Sequence, residues 1–103
     1  MNLQKKPRIE NELYLKWVET LDCKITGAPA DDAHHRCGQG GGGMGTKPHD
    51  FLAMPLTRGS HTLMHNDPGM WIDQNQYILE TIEEAFRQGV IVFDNKALKE
   101  LSK

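Results

Sequence analysis

The chain has few cysteines, few aromatic residues and no long apolar run. Its two cysteines among 103 residues are too few for the disulfide frameworks of small secreted domains. Hydrophobic residues make up 38% and aromatic residues 7% of the chain, which is lean but typical of a globular rather than a disordered domain. No apolar stretch approaches the roughly 20 residues of a membrane span, and no apolar segment follows the basic residues near the start, as a signal peptide requires. We therefore expect one cytoplasmic domain over residues 1–103, with reduced cysteines and no membrane partner.

The chain also lacks the excess of positive charge that is usual in nucleic-acid-binding proteins. Its formal net charge is −2, but the charge is unevenly distributed. Residues 66–95 carry six acidic side chains and one basic side chain, whereas residues 23–65 carry four basic and three acidic side chains together with all five histidines. Protonation or metal binding would make this middle segment distinctly positive. The charge of the whole chain therefore does not exclude a local anionic partner.

Helical patterns occur at both ends of the chain and in its middle. Near the start, an apolar residue at every fourth position predicts an amphipathic helix: Ile9, Leu13, Trp17 and Leu21. Residues 58–66 predict a helix of about two turns, and residues 70–86 predict a longer helix that ends at Gly89. Asp94 is a suitable cap for a last short helix within residues 94–103.

Strand and loop signals lie between these helices. Six glycines within residues 38–45 indicate a loop. Residues 51–54 are a candidate strand, and residues 90–93 are either a strand or an apolar tail. The sequence therefore predicts an α+β domain with an N-terminal helix, a β-hairpin with a Gly-rich loop, a short helix and a longer C-terminal helix.

The histidines are the strongest chemical feature of the sequence. His61 and His65 are four residues apart, so that a helix places both imidazoles on one face, at a spacing that suits a metal ion. Two exposed helical histidines are the alternative. The pattern is not that of a zinc protease, because Thr62 stands where that motif has its glutamate. His34 and His35 are adjacent, and on an extended strand they point to opposite faces, so that one can ligate a metal while the other faces water. A solvated turn is the alternative for this pair.

Two other motifs do not support a site on their own. The Gly-rich segment ends in Thr46-Lys47, the reverse of the Lys-Ser/Thr order in phosphate-binding loops, so we reject a nucleotide hydrolase. Cys23 and Thr26 have the spacing of a C-x-x-C zinc motif, as do Thr57 and Ser60, but only Cys23 offers a thiolate.

Taken in order, these motifs resemble a known family. They are Cys23-x-x-Thr26-Gly27, His34-His35, Met44-Gly-Thr-Lys-Pro-His-Asp50, Pro55-Leu56 and His61-x-x-x-His65. The order resembles the HNH (ββα-metal) endonucleases of phage and prophage, in particular the Ref type of RecA-dependent recombination-enhancement nuclease. The resemblance covers about residues 10–92. Its specific part is the Met-Gly-Thr-Lys-x-His-Asp segment.

The resemblance implies a ββα-metal core and a metal-dependent DNA endonuclease that acts in phage or prophage recombination or repair. It implies that His35 is the general base and that Asp50 orients this base or braces the hairpin. The implied metal ligands are His34, His61 and His65. The implied phosphate-binding residues are Arg36, Lys47 and Arg58. DNA is the implied partner, with a RecA filament as a further one.

The implied cofactor is one divalent cation. Mg²⁺ or Mn²⁺ is expected, and Zn²⁺ or Ni²⁺ also suits imidazole ligands. The resemblance places cysteines where this chain has Thr26, Thr57 and Ser60, so we expect no structural zinc. The basic N-terminal segment, residues 1–8, is much shorter than the basic extension of the Ref type. Two alternatives remain open: a recombination accessory protein that binds DNA without cleaving it, and a metal-binding structural module.

Overall fold

A computed structural model describes residues 7–38 and 48–102. In chain order, its elements are α1 (Glu12–Val18), β1 (Asp32–His35), β2 (Ala53–Leu56), α2 (Arg58–Asn66), a 3₁₀ helix (Pro68–Asp73), α3 (Gln74–Arg87) and α4 (Asn95–Leu101). The two strands pair antiparallel, with Asp32 opposite Leu56 and His35 opposite Ala53. The predicted α+β class is therefore confirmed. Lys47 and most of the Gly-rich segment lie outside the described residues.

Helix α1 is present as predicted, but its buried face is not the predicted one. The Asn11 side chain accepts a hydrogen bond from the Tyr14 N–H at 3.0 Å and caps the helix, which therefore begins at Glu12. Tyr14 and Val18 form the buried face, whereas Leu13 is 78% exposed. The apolar series that includes Leu13 was thus misleading, because its first and last members, Ile9 and Leu21, lie outside the helix.

Strand β2 forms the centre of the core. All four of its residues are buried, and Met54 and Leu56 pack in one cluster with Met64 of α2 and Ile78 of α3. The strand begins two residues later than predicted and continues through Pro55. Pro55 has no N–H to donate, but its carbonyl accepts the Lys24 N–H at 3.0 Å from the preceding loop.

The remaining helices agree with the sequence in part. Helix α2 has the predicted bounds, and the Thr57 side chain caps it by accepting the Ser60 N–H at 3.2 Å. The single long helix predicted from residue 70 is wrong, because Asp67 and Pro68 start a separate 3₁₀ helix and α3 begins only at Gln74. Asp94 caps α4 as predicted.

Residues 90–93 form no strand. The N–H groups of Val90 and Ile91 instead donate to the Ala85 carbonyl at 2.8 and 3.1 Å, which closes the end of α3. The Phe93 ring stacks on Phe86 with centroids 4.9 Å apart. Within the described part of the chain, every helix is too short or too polar to cross a membrane.

Candidate metal centre

Strand β1 and helix α2 bring three histidines together. His34, His61 and His65 each offer a ligand nitrogen, and these nitrogens all lie within 4.8 Å of one another. The ring of His34 lies 4.3 Å from that of His61 and 4.9 Å from that of His65, measured between centroids. The spacing of His61 and His65 places both on the helix face that packs against β1. The three predicted metal ligands therefore form one cluster.

His34 is the buried member of this cluster, with 2% of its surface exposed. Burial, the largest cause, and the nearby imidazoles of His61 and His65 together lower the pKa of His34 to about 4. The ring is therefore neutral at neutral pH and keeps a lone pair for a metal ion. Among the described residues, its Nδ1 has no hydrogen-bond partner. A buried nitrogen without a partner is costly, and a metal ion would remove that cost.

The orientation of His61 is fixed by Asp32. His61 Nδ1 lies 3.1 Å from Asp32 Oδ2, and because an ionised carboxylate only accepts, Nδ1 carries the hydrogen and Nε2 keeps its lone pair. Arg58 donates to both Asp32 oxygens at 3.0 and 3.1 Å. The bonds from Arg58 and its charge, with the hydrogen bond from His61, lower the pKa of Asp32 and keep it ionised. The sequence analysis missed Asp32, although it shares a strand face with His34 two residues later.

His35 is not a member of the metal cluster and contacts Asp50 instead. Its Nε2 lies 2.9 Å from Asp50 Oδ1, so that Nε2 donates and Nδ1 is left with a free lone pair. The two adjacent histidines thus have different surroundings, as their alternation on a strand requires. This arrangement suits the predicted base role of His35.

Asp50 is buried and fully hydrogen bonded. Its Oδ1 also accepts from Arg8 Nη2, and its Oδ2 accepts the Asn11 N–H at 2.7 Å. Burial alone would raise the pKa of Asp50, but the bonds from His35 and Asn11 and the charge of Arg8 outweigh it and lower the pKa. Asp50 is therefore an anion that orients its neighbours, in keeping with its predicted role.

Arg8 is part of the site, although the sequence placed it in a basic tail. Besides Asp50, it bonds to the Pro48 carbonyl, with Nε donating at 2.8 Å. Its position depends on contacts about forty residues away in sequence, which local patterns do not reveal.

A single cleft is lined by Arg8, Ala33, His34, His35, Arg36, Cys37, Pro48, His61 and His65. This cleft is the candidate active site.

The predicted phosphate-binding residues differ in their surroundings. Arg36 lines the cleft, and its Nε donates to Asn75 Oδ1 at 2.8 Å. Arg58 is outside the cleft lining, and its guanidinium is bound to Asp32. Lys47 lies outside the described residues. Among the described predictions, Arg36 is therefore the best-placed phosphate contact.

The four positions that the resemblance links to structural zinc also come together. Cys23 Sγ lies 3.6 Å from Ser60 Oγ and 3.9 Å from Thr57 Oγ1, and it accepts the Thr26 N–H at 3.5 Å. Burial would raise the pKa of the Cys23 thiol, but hydrogen bonds from Thr26, Thr57 and Ile25 lower it to about 6. With one sulfur and three hydroxyl groups, the cluster is a poor zinc site. The expected lack of structural zinc stays a prediction.

The fold and the cleft define a small α+β domain with a candidate metal centre of three histidines. The chain belongs to the family described as "Protein of unknown function (DUF968)", whose model matches residues 1–89. It is 42% identical over 95 residues to "Uncharacterized protein YdfU" of Escherichia coli (strain K12). That match covers 88% of this chain and 27% of the relative, so the chain spans about a quarter of the relative's length. No solved structure matches the chain.

Proposed function

We propose that the chain is a metal-dependent DNA endonuclease of the HNH type, which hydrolyses phosphodiester bonds during phage or prophage recombination or repair. The main support for this proposal is the cleft, which is lined both by the cluster of His34, His61 and His65 and by His35. The ββα-metal core of this proposal corresponds to β1, β2 and α2.

The residues present fit a divalent cation. Three imidazoles converge, His34 has a buried Nδ1 with no partner among the described residues, and Asp32 leaves His61 Nε2 free. Mg²⁺ or Mn²⁺ is the working ion proposed from the resemblance, whereas the three imidazoles by themselves favour Zn²⁺, Ni²⁺ or Mn²⁺ over Mg²⁺, which prefers oxygen ligands. When bound, the cation would neutralise phosphate charge and stabilise the leaving oxygen.

His35 supplies the proton transfer in this proposal. Its Nδ1 accepts a proton from the attacking water, while Nε2–H stays hydrogen bonded to Asp50. Asp50 fixes the tautomer and holds the ring in place. Arg36 lines the same cleft and binds a phosphate beside the reacting one.

DNA is the proposed substrate. A RecA filament as a further partner rests on the resemblance alone, and a comparison of cleavage with and without RecA tests it.

A plasmid-nicking assay tests the proposed function. We expect nicking with Mg²⁺ or Mn²⁺, none with EDTA, and a large loss of nicking after His61→Ala at the metal concentration that suffices for the wild type. His49→Ala is a matched control, because His49 is the one histidine that does not line the cleft. DNA binding without nicking would favour the accessory protein, and metal binding without either would favour the structural module.

A further inference from the structure

Helix α4 has no buried side chain. Residues 92–102 are all exposed, and none of them belongs to either core cluster of the described chain. Leu98 and Leu101 share a helix face, because they are three residues apart, and they are 50% and 82% exposed. A helix as short as α4 is marginal in water, since most helical stability in proteins comes from the packing of an apolar face. The apolar face of α4 therefore needs a cover that the described residues of its own chain do not supply.

A second surface of the same chain is an open apolar groove. Its volume is about 460 Å³, which accommodates a few side chains of one helix face but not a whole helix. Most of the residues that line it are apolar or aromatic, including Ile9, Leu13, Trp17, Phe51, Val90 and Ile91. Ile9 and Leu13 are 55% and 78% exposed there. The groove is therefore a hydrophobic surface of a size that suits the apolar face of α4.

The charges beside the two surfaces are complementary. Residues 9–19, which contribute Ile9, Leu13 and Trp17 to the groove, carry three acidic side chains and one basic side chain. Helix α4 instead carries Lys96 and Lys99 against Glu100. Long lysine side chains beside an apolar helix face can lie along a groove and reach acidic groups at its edge. The chain thus supplies both halves of one matching pair.

The connection to α4 is tied to α3 and keeps α4 out of the groove of its own chain. The Val90 N–H donates to the Ala85 carbonyl at 2.8 Å, and the Phe93 ring stacks on Phe86 with centroids 4.9 Å apart. Helix α4 begins only two residues after Phe93. To fold back into its own groove, α4 would have to break these contacts, whereas the groove of a second copy imposes no such loss.

We propose that the groove binds α4 of a second copy of this chain, and that two copies exchange α4 reciprocally in a symmetric dimer. Leu98 and Leu101 enter the groove, and Lys99 lies beside the acidic residues of the α1 segment. Because each copy supplies one helix and one groove, the exchange covers both surfaces and closes the assembly at two subunits. The dimer is independent of the metal centre and of the proposed nuclease activity.

Sedimentation velocity over a concentration series tests this inference, because it measures the dissociation constant of the dimer. Leu13→Glu and Leu98→Lys each place a charge in the proposed contact and should raise this constant about tenfold or more. Leu79→Glu is the matched control and should leave it unchanged, because Leu79 is 60% exposed on α3 and does not line the groove. All three leucines are at least half exposed, so that the substitutions leave the fold of the single copy intact.

The double variant Leu13→Glu/Leu98→Lys identifies the contact itself. It places opposite charges where helix and groove meet, so that it should dimerise more tightly than the two single effects predict when they are added. A wild type that stays monomeric at every concentration would overturn the inference. A dimer that neither single change weakens, or purely additive effects in the double variant, would overturn it as well. None of these results bears on nicking, which the plasmid assay tests separately.

Discussion

Two carboxylates set the chemistry of two histidines in the cleft, with opposite results. Asp32 receives Nδ1–H of His61 and leaves its Nε2 free, whereas Asp50 receives Nε2–H of His35 and leaves its Nδ1 free. The difference follows from which ring edge faces the carboxylate. The orientations of the His61 and His35 rings are fixed before any ligand binds, so that neither ring has to reorient when substrate or a metal ion arrives.

The first prediction separates the roles of the histidines. His35→Ala should leave the fold and metal binding intact and lower the nicking rate about 10²- to 10⁴-fold, the contribution of a general base. His61→Ala or His65→Ala should weaken the metal site, and excess Mn²⁺ should restore part of the activity. Calorimetric metal titration beside the nicking assay distinguishes the two effects. Loss of metal binding in His35→Ala, or cleavage at the wild-type rate, would show that the base assignment is wrong.

The second prediction concerns Asp32. Asp32→Asn removes the charge that orients His61 and should weaken divalent-ion binding about 10- to 100-fold. Asp31→Asn is the matched control. Asp31 is the neighbour of Asp32 and carries the same charge, but among the contacts described its carboxylate bonds only to the Arg58 N–H. Equal loss of affinity in the two variants would mean that overall charge, and not the contact with His61, accounts for the effect.

The third prediction concerns the pH dependence of stability. The pKa of Asp50 is lower in the folded chain than the unfolded value of about 3.9. A lowered pKa stabilises the fold above the unfolded value, and this stabilisation is lost as the pH falls through the folded value. Asp50→Asn should therefore lower the free energy of unfolding by about 1.5–3 kcal/mol at pH 7, and the difference should shrink towards pH 3. Urea unfolding at both pH values measures it, and a difference that is independent of pH would contradict the prediction.

At the scale of elements, local signals predicted some boundaries and missed others. Helix α2 and the start of α4 were predictable, because Thr57 and Asp94 cap them through hydrogen bonds to residues only three positions later in the sequence. The start of α3 was not, because Asp67 and Pro68 favour a tight turn first and the apolar pattern does not distinguish a 3₁₀ helix from an α-helix. The buried face of α1 depends on packing against both strands, which periodicity in seven residues does not determine.

The fourth prediction concerns the turn at Cys23 and the first turn of α2. These two turns meet where the Cys23 thiol contacts the hydroxyls of Thr57 and Ser60. Cys23 also belongs to the hydrophobic core cluster that contains Met54 and Leu56. In a His61→Ala background, which removes the histidine centre as a second target, EDTA should leave the thermal midpoint unchanged. A lowered midpoint, or an anomalous metal peak with Cys23 sulfur among its ligands, would reveal a structural metal.

At the scale of the whole molecule, the sequence predicted the members of the site better than their surroundings. Histidine spacing and the resemblance indicated His34, His61 and His65, and the fold brings them together. Arg8 and Cys37 were not recognised as neighbours of this site. Arg8 contacts Asp50, which is 42 positions away in the sequence, and Cys37 is bound by Gln74, which is 37 positions away. Contacts of that range depend on the packing of several elements and leave no pattern in the local sequence.

The last prediction follows from the distribution of charge. Residues 66–95 are strongly acidic, and Arg58 is already neutralised by Asp32, so few cations of the described residues are left to meet a DNA backbone at the cleft. Because binding falls by about 0.9 logarithmic units per phosphate neutralised and per tenfold rise in salt, we expect a slope of only about −2 to −3 and little dependence on base sequence. Arg36→Ala should make the slope shallower by about 0.9. Arg87→Ala, on α3 and paired with Glu83, is the control and should leave it unchanged. Fluorescence anisotropy over a salt series measures both, and a slope steeper than about −6 would show that DNA binds on another surface.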